Sequence, residues 1–238
     1  MRTLVIGIPL PHVSFDNYSF VSAPAISEYE RLVVDPAAVS GVIEEVATGA
    51  AEHRNFAGQL VRAGPSTASS FGLADLLRMR RREAEWFFGR GGTALCFAHP
   101  DVAHPAVGED CGWRRYSWLP QPSSFSYEQH LHPGFGAPGV ELTDDAHPFA
   151  TLIAEFGSRL AYRATVDESA EGFAEYGRVF ARNRAGAAVA AELTVGRGSI
   201  VFVPPPVDPR SERGKLAQTL FSCFERLHER APDEPPSG

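Results

Sequence analysis

Three side chains able to bind metal or exchange protons follow a short apolar run in the middle of the chain. His99, Asp101 and His104 lie within six residues, directly after the run Thr93–Ala98. Imidazole and carboxylate groups suit zinc, iron, nickel or manganese, so this spacing allows a divalent transition metal. Further ligands could come from Glu109, Asp110, Cys111, His130 or His132. Because His99 and His104 each precede a proline, the alternative is that they begin loop turns, and both interpretations stay open.

A second polar set follows the first apolar run, Thr3–Ile8. The segment Pro9–Tyr29 is predicted to be a long loop, and it contains His12, Asp16, Asn17 and Tyr18. Ligands of open α/β sheets bind at the carboxyl ends of parallel strands, where this loop and His99 are both expected. The predicted ligand-binding residues are therefore His12, Asp16, Asn17, Tyr18, His99 and Asp101. The alternative is that Asp16 and Asn17 cap local backbone groups.

The elements that would position these residues alternate between buried strands and helices. Thr3–Ile8 is a continuous apolar run, as expected of a parallel strand covered on both faces, and Arg31–Asp35 and Thr93–Ala98 are predicted to be further strands. Asp35-Pro36 begins an amphipathic helix, and Leu73–Phe88 forms another. The arginines of this second helix are predicted to be a solvated face; they are Arg78, Arg80, Arg81 and Arg82.

The second half of the chain changes character after a helix at Phe149–Arg159. Four strands are predicted, at Leu160–Val166, Gly177–Arg182, Ala187–Leu193 and Ser199–Val203, before a terminal helix at 211–230. The fold class is therefore α/β, an open, mostly parallel, doubly wound (flavodoxin-like) sheet extended by antiparallel strands in the C-terminal half. We expect one domain over residues 1–230 and a disordered tail at 231–238.

An irregular insertion is predicted at about 100–148, and it is unusually aromatic. Its aromatic residues include Trp113, Tyr116, Trp118, Phe125 and Tyr127. Such a cluster can be a lid over a ligand, a contact for a protein partner, or the core that keeps a long loop folded; the last is the commonest.

Composition excludes some classes of function. The 238 residues are 44% hydrophobic and 21% charged, which is ordinary for a soluble globular protein. A net charge of −7 argues against nucleic acid as a partner. Three cysteines without a close-spaced pair fit a reducing compartment, so we expect a cytoplasmic protein that does not enter a membrane.

Three segments resemble the class I glutamine amidotransferase-like superfamily, and more closely its trehalose-utilisation-type (ThuA-like) branch. They are the helix, Gly-Gly and strand of Leu76–Ala98, the Asp-x-x-His-Pro segment at Asp144–Phe149, and the strand, Gly-x-Gly turn and strand of Ala187–Val203. This resemblance implies an amidotransferase-like α/β fold. Within the second segment, His147 is interpreted as a helix-entry residue.

The chain departs from that superfamily at the positions that carry its chemistry. The resemblance implies a nucleophilic cysteine on a sharp turn after the strand and a His-x-Glu pair after a late strand. Here Ala98 occupies the turn, Pro204–Pro206 follows the late strand, and Cys96 is predicted to be a buried strand residue. The sequence therefore predicts a domain without glutaminase activity that binds a small molecule or a protein partner. The alternatives are a metal-assisted hydrolase using His99, Asp101 and His104, and a scaffold subunit of a complex.

Overall fold

The computed structural model describes residues 2–48, 52–54, 60–62, 67–101, 114–134, 139–208 and 212–230. Within these ranges there are twelve strands. They are β1 (Thr3–Ile6), β2 (Phe15–Tyr18), β3 (Arg31–Val34), β4 (Glu52–Arg54), β5 (Leu60–Arg62), β6 (Thr93–Phe97), β7 (Leu131–Pro133), β8 (Val140–Leu142), β9 (Ala164–Val166), β10 (Gly177–Asn183), β11 (Ala188–Val195) and β12 (Gly198–Val203).

Six α-helices connect these strands in the same part of the chain. They are α1 (Ala37–Thr48), α2 (Thr67–Gly89), α3 (Tyr127–His130), α4 (Ala150–Phe156), α5 (Phe173–Tyr176) and α6 (Arg213–Arg230). Helix α1 begins where predicted, because the Asp35 carboxylate accepts a hydrogen bond from the Ala37 amide at 3.0 Å and Pro36 occupies the first turn. None of the described helices is long and apolar enough to cross a bilayer.

The predicted fold class is confirmed, since a parallel core continues into an antiparallel extension. The main sheet has ten strands, eight of them in the order β2-β1-β3-β6-β12-β11-β10-β8, while β7 and β9 pair beside β11. Within this order, the five strands β2, β1, β3, β6 and β12 run parallel to one another. The pairs from β12 through β8 are antiparallel.

Helices cover both faces of this sheet and create two hydrophobic cores. On one face, α1 and α2 pack with the aromatic insertion against side chains such as Leu32 and Phe202. On the other face, α4 and α6 pack against side chains such as Val33 and Val201. This alternation explains why the central strands are continuous apolar runs in the sequence.

Several elements differ from the sequence prediction. The predicted loop Pro9–Tyr29 contains strand β2, which has polar residues at its two central positions, Asp16 and Asn17, and therefore lacks the apolar pattern of the central strands. Of the strand predicted at Leu160–Val166, only Ala164–Val166 forms a strand, while Leu160 forms an isolated bridge with Pro206. The β4–β5 hairpin lies before α2, in a segment where no strand was predicted from the sequence.

One of the four arginines predicted to be solvated is buried. Arg80 is 1% exposed, whereas Arg78, Arg81 and Arg82 are exposed. Its guanidinium donates hydrogen bonds to the carbonyls of Phe20, Ala23 and Pro24 and pairs with Glu83 at 2.8 Å. The prediction was wrong here because the segment after β2 crosses this helix face and needs donors for its buried carbonyl groups.

Candidate functional site

The carboxyl ends of β1 and β3 form the point where chain connections leave the sheet in opposite directions. β1 leads outward to β2, whereas β3 leads through α1, the hairpin and α2 to β6 on its other side. Open α/β sheets bind ligands in the crevice at such a switch point. Gly7, Asp35 and Ala98-His99 follow β1, β3 and β6 directly, so these residues lie at this edge.

Gly7 allows α1 to approach this edge closely. Its φ is +87°, and a Cβ placed there would lie 2.7 Å from Cβ of Ala38 and 2.8 Å from the carbonyl oxygen of Asp35. A side chain at position 7 would therefore push the start of α1, and Asp35 with it, away from the strand ends.

Asp35 and His99 form a close pair on neighbouring strands. Nε2 of His99 lies 3.1 Å from Oδ1 of Asp35, and the two side chains are 14% and 21% exposed. The two atoms do not form a hydrogen bond, and Oδ1 of Asp35 accepts one from the Ala37 amide. Within the described part of the chain, Nε2 of His99 is therefore buried without a hydrogen-bond partner.

Asp101 is the most unusual carboxyl group of this edge. It is 7% exposed, and its Oδ1 is buried with no hydrogen-bond partner among the described residues. Burial raises the pKa of Asp101 to about 6, although the charges of Arg114 and Arg115 act to lower it. The carboxyl group thus changes its protonation state close to neutral pH.

Side chains from the insertion hold the backbone around these two residues. The Tyr116 hydroxyl accepts a hydrogen bond from the His99 amide at 3.0 Å and donates one to the His99 carbonyl at 2.7 Å. Nη1 of Arg114 donates to the Asp101 carbonyl at 3.0 Å, and its Nη2 pairs with Glu128 at 2.6 Å. Nε of Arg115 is a third buried polar atom near this edge without a partner in the described ranges.

Cys96 is a core residue, as predicted. It lies inside β6 with 0% exposure, and burial, followed by the nearby charge of Asp35, raises its thiol pKa well above the usual value. The backbone after it remains strand-like, because the Ala98 amide donates to the Val203 carbonyl at 2.7 Å. Among the described non-glycine residues, only Ser123 and Glu212 have positive φ, so the sharp turn that would present a nucleophile is absent at Ala98.

The predicted ligand-binding residues do not all come together. His12 stacks on Phe221 of α6 at 4.5 Å, and Oδ2 of Asp16 lies 2.5 Å from Nη2 of Arg2. His12 precedes β2 and Asp16 is near its beginning, so both lie toward the amino edge of the sheet, away from His99. Strand β2 is the physical reason. It runs parallel to β1 and therefore begins at the amino edge, whereas His99 follows the carboxyl end of β6.

Asn17 and Tyr18 lie nearer the carboxyl end of β2, and Asn17 is engaged by backbone. Its Oδ1 accepts from the Leu10 amide at 2.7 Å, and its Nδ2 donates to the Leu10 carbonyl at 3.0 Å. Tyr18 is 43% exposed opposite Ile6. Ligand binding by these two residues stays a prediction.

The predicted metal site falls partly outside the described residues. His104 lies there, as do the further candidates Glu109, Asp110 and Cys111. In the ranges that the structure describes, no group of three His, Cys, Asp or Glu side chains is arranged to hold a metal ion. His130 accepts from the Ser126 amide at 2.9 Å, and His132 lies 3.3 Å from Asp167. Metal binding by His99, Asp101 and His104 therefore stays a prediction.

A second histidine–carboxylate pair was not assigned a role from the sequence. His147, 2% exposed, stacks on Phe180 at 3.9 Å, and its Nδ1 accepts the Phe149 amide at 3.2 Å. This places the ring proton on Nε2, which donates to Glu192 at 3.1 Å. Burial would raise the pKa of Glu192, but hydrogen bonds from His147 and Ser199 hold it below the usual value. The sequence feature that pointed to His147 was the Asp144–Phe149 motif. Both ring nitrogens of His147 form hydrogen bonds.

The aromatic residues of the insertion form core, which confirms the commonest interpretation of such clusters. Tyr116, Trp118, Phe125 and Tyr127 are each at most 2% exposed. Tyr116 stacks on Tyr127 at 4.9 Å, and both lie edge-on to Phe202 of β12. Trp113 lies outside the described residues.

A groove of about 480 Å³ opens at the opposite, amino edge of the sheet. Its lining residues Tyr29, Phe87 and Phe224 are buried, and the Arg31 guanidinium in it pairs with Glu225 at 2.7 Å. Three of the seven buried side-chain atoms that lack a hydrogen-bond partner among the described residues cluster at the carboxyl edge, on His99, Asp101 and Arg115, and for this reason we place the candidate site there.

No protein-family model matches the sequence, and no curated protein matches it. Solved structures with a similar course of the chain include two cytoplasmic proteins of Salmonella typhimurium. One is 8% identical with a TM-score of 0.43, covering 93% of this chain and 98% of the other. The second is 12% identical with a TM-score of 0.44, covering 96% and 99%.

A proposed GMP synthase subunit from Thermoplasma acidophilum is also similar, at 10% identity and a TM-score of 0.41, with 98% of each chain covered. Similarities of this size do not decide family or function, so both rest on the residues of this chain.

Proposed function

We propose that this chain is a non-catalytic, amidotransferase-like domain that binds a small polar ligand at the carboxyl edge of its sheet, through Asp35, His99 and Asp101. The observation that carries the proposal is that Oδ1 of Asp101 is buried without a hydrogen-bond partner among the described residues. Leaving a buried polar group unpaired costs about 1–3 kcal/mol, and more for a charged one. A ligand that donates a hydrogen bond to this oxygen would remove that cost.

His99 supports the same assignment. Its Nε2 is also buried without a partner among the described residues, and it follows the neighbouring strand of the switch point. Two unmet hydrogen-bonding atoms separated by one residue favour recognition of a polar molecule over an apolar one.

The state of Cys96 favours binding over thiol catalysis. A nucleophilic cysteine needs a thiolate, and the burial that raises the pKa of Cys96 keeps it as a thiol. The amidotransferase-like family and a cytoplasmic location are parts of this proposal that rest on the sequence.

The proposal is tested by native mass spectrometry of the purified chain, compared with its Asp101→Ala and His99→Ala variants. We expect a bound small molecule in the native chain and a clear loss of occupancy in both variants. The matched control is His132→Ala, because His132 and Asp167 form a similar but more exposed pair at 3.3 Å, with His132 54% exposed. This control should keep the ligand.

Two other results would redirect the assignment. About one equivalent of a transition metal, lost in His99→Ala, would favour the metal-assisted hydrolase over the binding domain. A co-purifying protein that remains bound to Asp101→Ala would favour a scaffold role. Equal ligand occupancy in the native chain and both site variants would refute the assigned site.

A further inference from the structure

We propose that Tyr116 is a positioning residue for this site, and that the aromatic insertion, rather than strand β6 alone, fixes the place of His99 and Asp101. The inference rests on the proposed function, since it concerns the same two side chains. Tyr116 binds the backbone of the site and does not itself carry one of the polar atoms that lack a hydrogen bond.

The first support is the double hydrogen bond at His99. One hydroxyl accepts from the His99 amide at 3.0 Å and donates to the carbonyl of the same residue at 2.7 Å. This satisfies both backbone groups of a residue that lies just beyond the end of β6, at Phe97. The bond from the Ala98 amide to Val203 is the last sheet bond before it in the described chain. The Tyr116 hydroxyl therefore provides the backbone hydrogen bonds of His99 at the point where the bonds between strands end.

The second support is that the Tyr116 ring is itself held firmly. It is 1% exposed and stacks on Tyr127 at 4.9 Å. It also meets the Phe202 ring edge-on at 6.3 Å. An aromatic side chain has few rotamers, and packing on two sides leaves its hydroxyl one accessible position. Packing of the aromatic core therefore fixes the position of the His99 backbone.

The third support is a neighbouring contact from the same segment. Two residues before Tyr116, Arg114 donates to the Asp101 carbonyl at 3.0 Å and is anchored by Glu128. The backbone groups on both sides of Pro100 are therefore held by the insertion. Site groups supported in this way keep their geometry better than groups on an unsupported loop.

The test compares Tyr116→Phe with Tyr127→Phe by hydrogen exchange of backbone amides, measured by NMR. Both changes remove one hydroxyl from the same stacked pair, but the Tyr127 hydroxyl donates to the Pro120 carbonyl at 2.6 Å and does not contact His99. We expect the His99 amide to exchange roughly tenfold faster in Tyr116→Phe, the effect of losing one hydrogen bond worth about 1.4 kcal/mol. The Ala98 amide, bonded to Val203, should be unchanged, and Tyr127→Phe should leave both amides unchanged.

Ligand occupancy is the second readout. Tyr116→Phe should lower the occupancy of the ligand retained by the native chain, whereas Tyr127→Phe should not. If the native chain retains no ligand, the proposed function fails, but amide exchange still decides the positioning role. Unchanged His99 exchange in Tyr116→Phe, or an equal acceleration in Tyr127→Phe, would overturn the inference.

Discussion

Two histidine–carboxylate pairs in this protein have the same separation and opposite surroundings. Nε2 lies 3.1 Å from a carboxylate oxygen both in His99–Asp35 and in His147–Glu192. The His147 ring is engaged through both nitrogens and stacks on Phe180. Nε2 of His99 lies close to Asp35 but forms no hydrogen bond within the described chain. Equal distance therefore does not mean equal surroundings: one pair completes a hydrogen-bond network, and the other leaves a ring nitrogen without a hydrogen bond in the described chain.

The neighbouring carboxyl groups show the same contrast. Burial acts to raise the pKa of both Glu192 and Asp101. For Glu192 the hydrogen bonds from His147 and Ser199 outweigh it, so its pKa falls. For Asp101 no described side chain donates to Oδ1, and its pKa rises to about 6. A satisfied buried carboxylate supports folding, whereas an unsatisfied one reduces stability.

The largest expected difference between the pairs is in stability. His147→Ala should lower the free energy of unfolding by about 3 kcal/mol, because it opens a cavity against Phe180 and removes the donor to Glu192. His99→Ala should lower it by less than about 1 kcal/mol, since its Nε2 makes no hydrogen bond to the described part of the chain. Urea denaturation followed by fluorescence measures both, and equal losses would contradict the contrast.

Asp101→Asn should increase stability at neutral pH, by roughly 2–3 kcal/mol. A folded-state pKa of about 6 against an ordinary value of 3.8 means that the folded state binds more protons between these values. Stability of the native chain therefore falls as pH rises from about 3.8 to about 6, and it stays low above. The variant lacks this fall, so urea denaturation at pH 4 and pH 7 should separate the two proteins only at pH 7.

Glu192 should show the opposite pH dependence, with a smaller effect because its side chain is 21% exposed. Its lowered pKa gives stability that is present above the unfolded value near 4.5 and is lost as pH falls through the folded value. Glu192→Gln should therefore be less stable than the native chain at pH 7 and should lose less stability on acidification. A thermal melting series between pH 3 and pH 7 measures it, and parallel curves would refute it.

The smallest expected effect is on the thiol of Cys96. The folded protein should react with iodoacetamide at Cys96 only as fast as it unfolds, because a fully buried thiol with a raised pKa offers no thiolate. Mass spectrometry of the Cys96 peptide measures the rate, and the same peptide in urea is the control. Rapid labelling of the native protein would mean that the thiol is reachable from the site.

Much of the fold followed from local patterns. The helix after Asp35 and the buried strand around Cys96 were predictable, because capping residues and continuous apolar runs act within a few residues. Strand β2 was missed because only one of its four residues is fully buried. Because β2 was not recognised, His12 and Asp16 were predicted at the carboxyl edge of the sheet. The structure places both toward the amino edge.

The sequence by itself determined the fold class, the burial of Cys96 and the placement of His99 and Asp101 just after a central strand. Periodicity and turn residues encode these features over short distances. Only the tertiary structure decided which polar groups are satisfied: Arg80 binds carbonyls more than fifty residues away, Tyr116 holds His99 across seventeen, and His147 meets Glu192 across forty-five. Hydrogen-bond partners at such separations are set by packing of the whole chain, and the unmet atoms of His99 and Asp101 are what that packing leaves open.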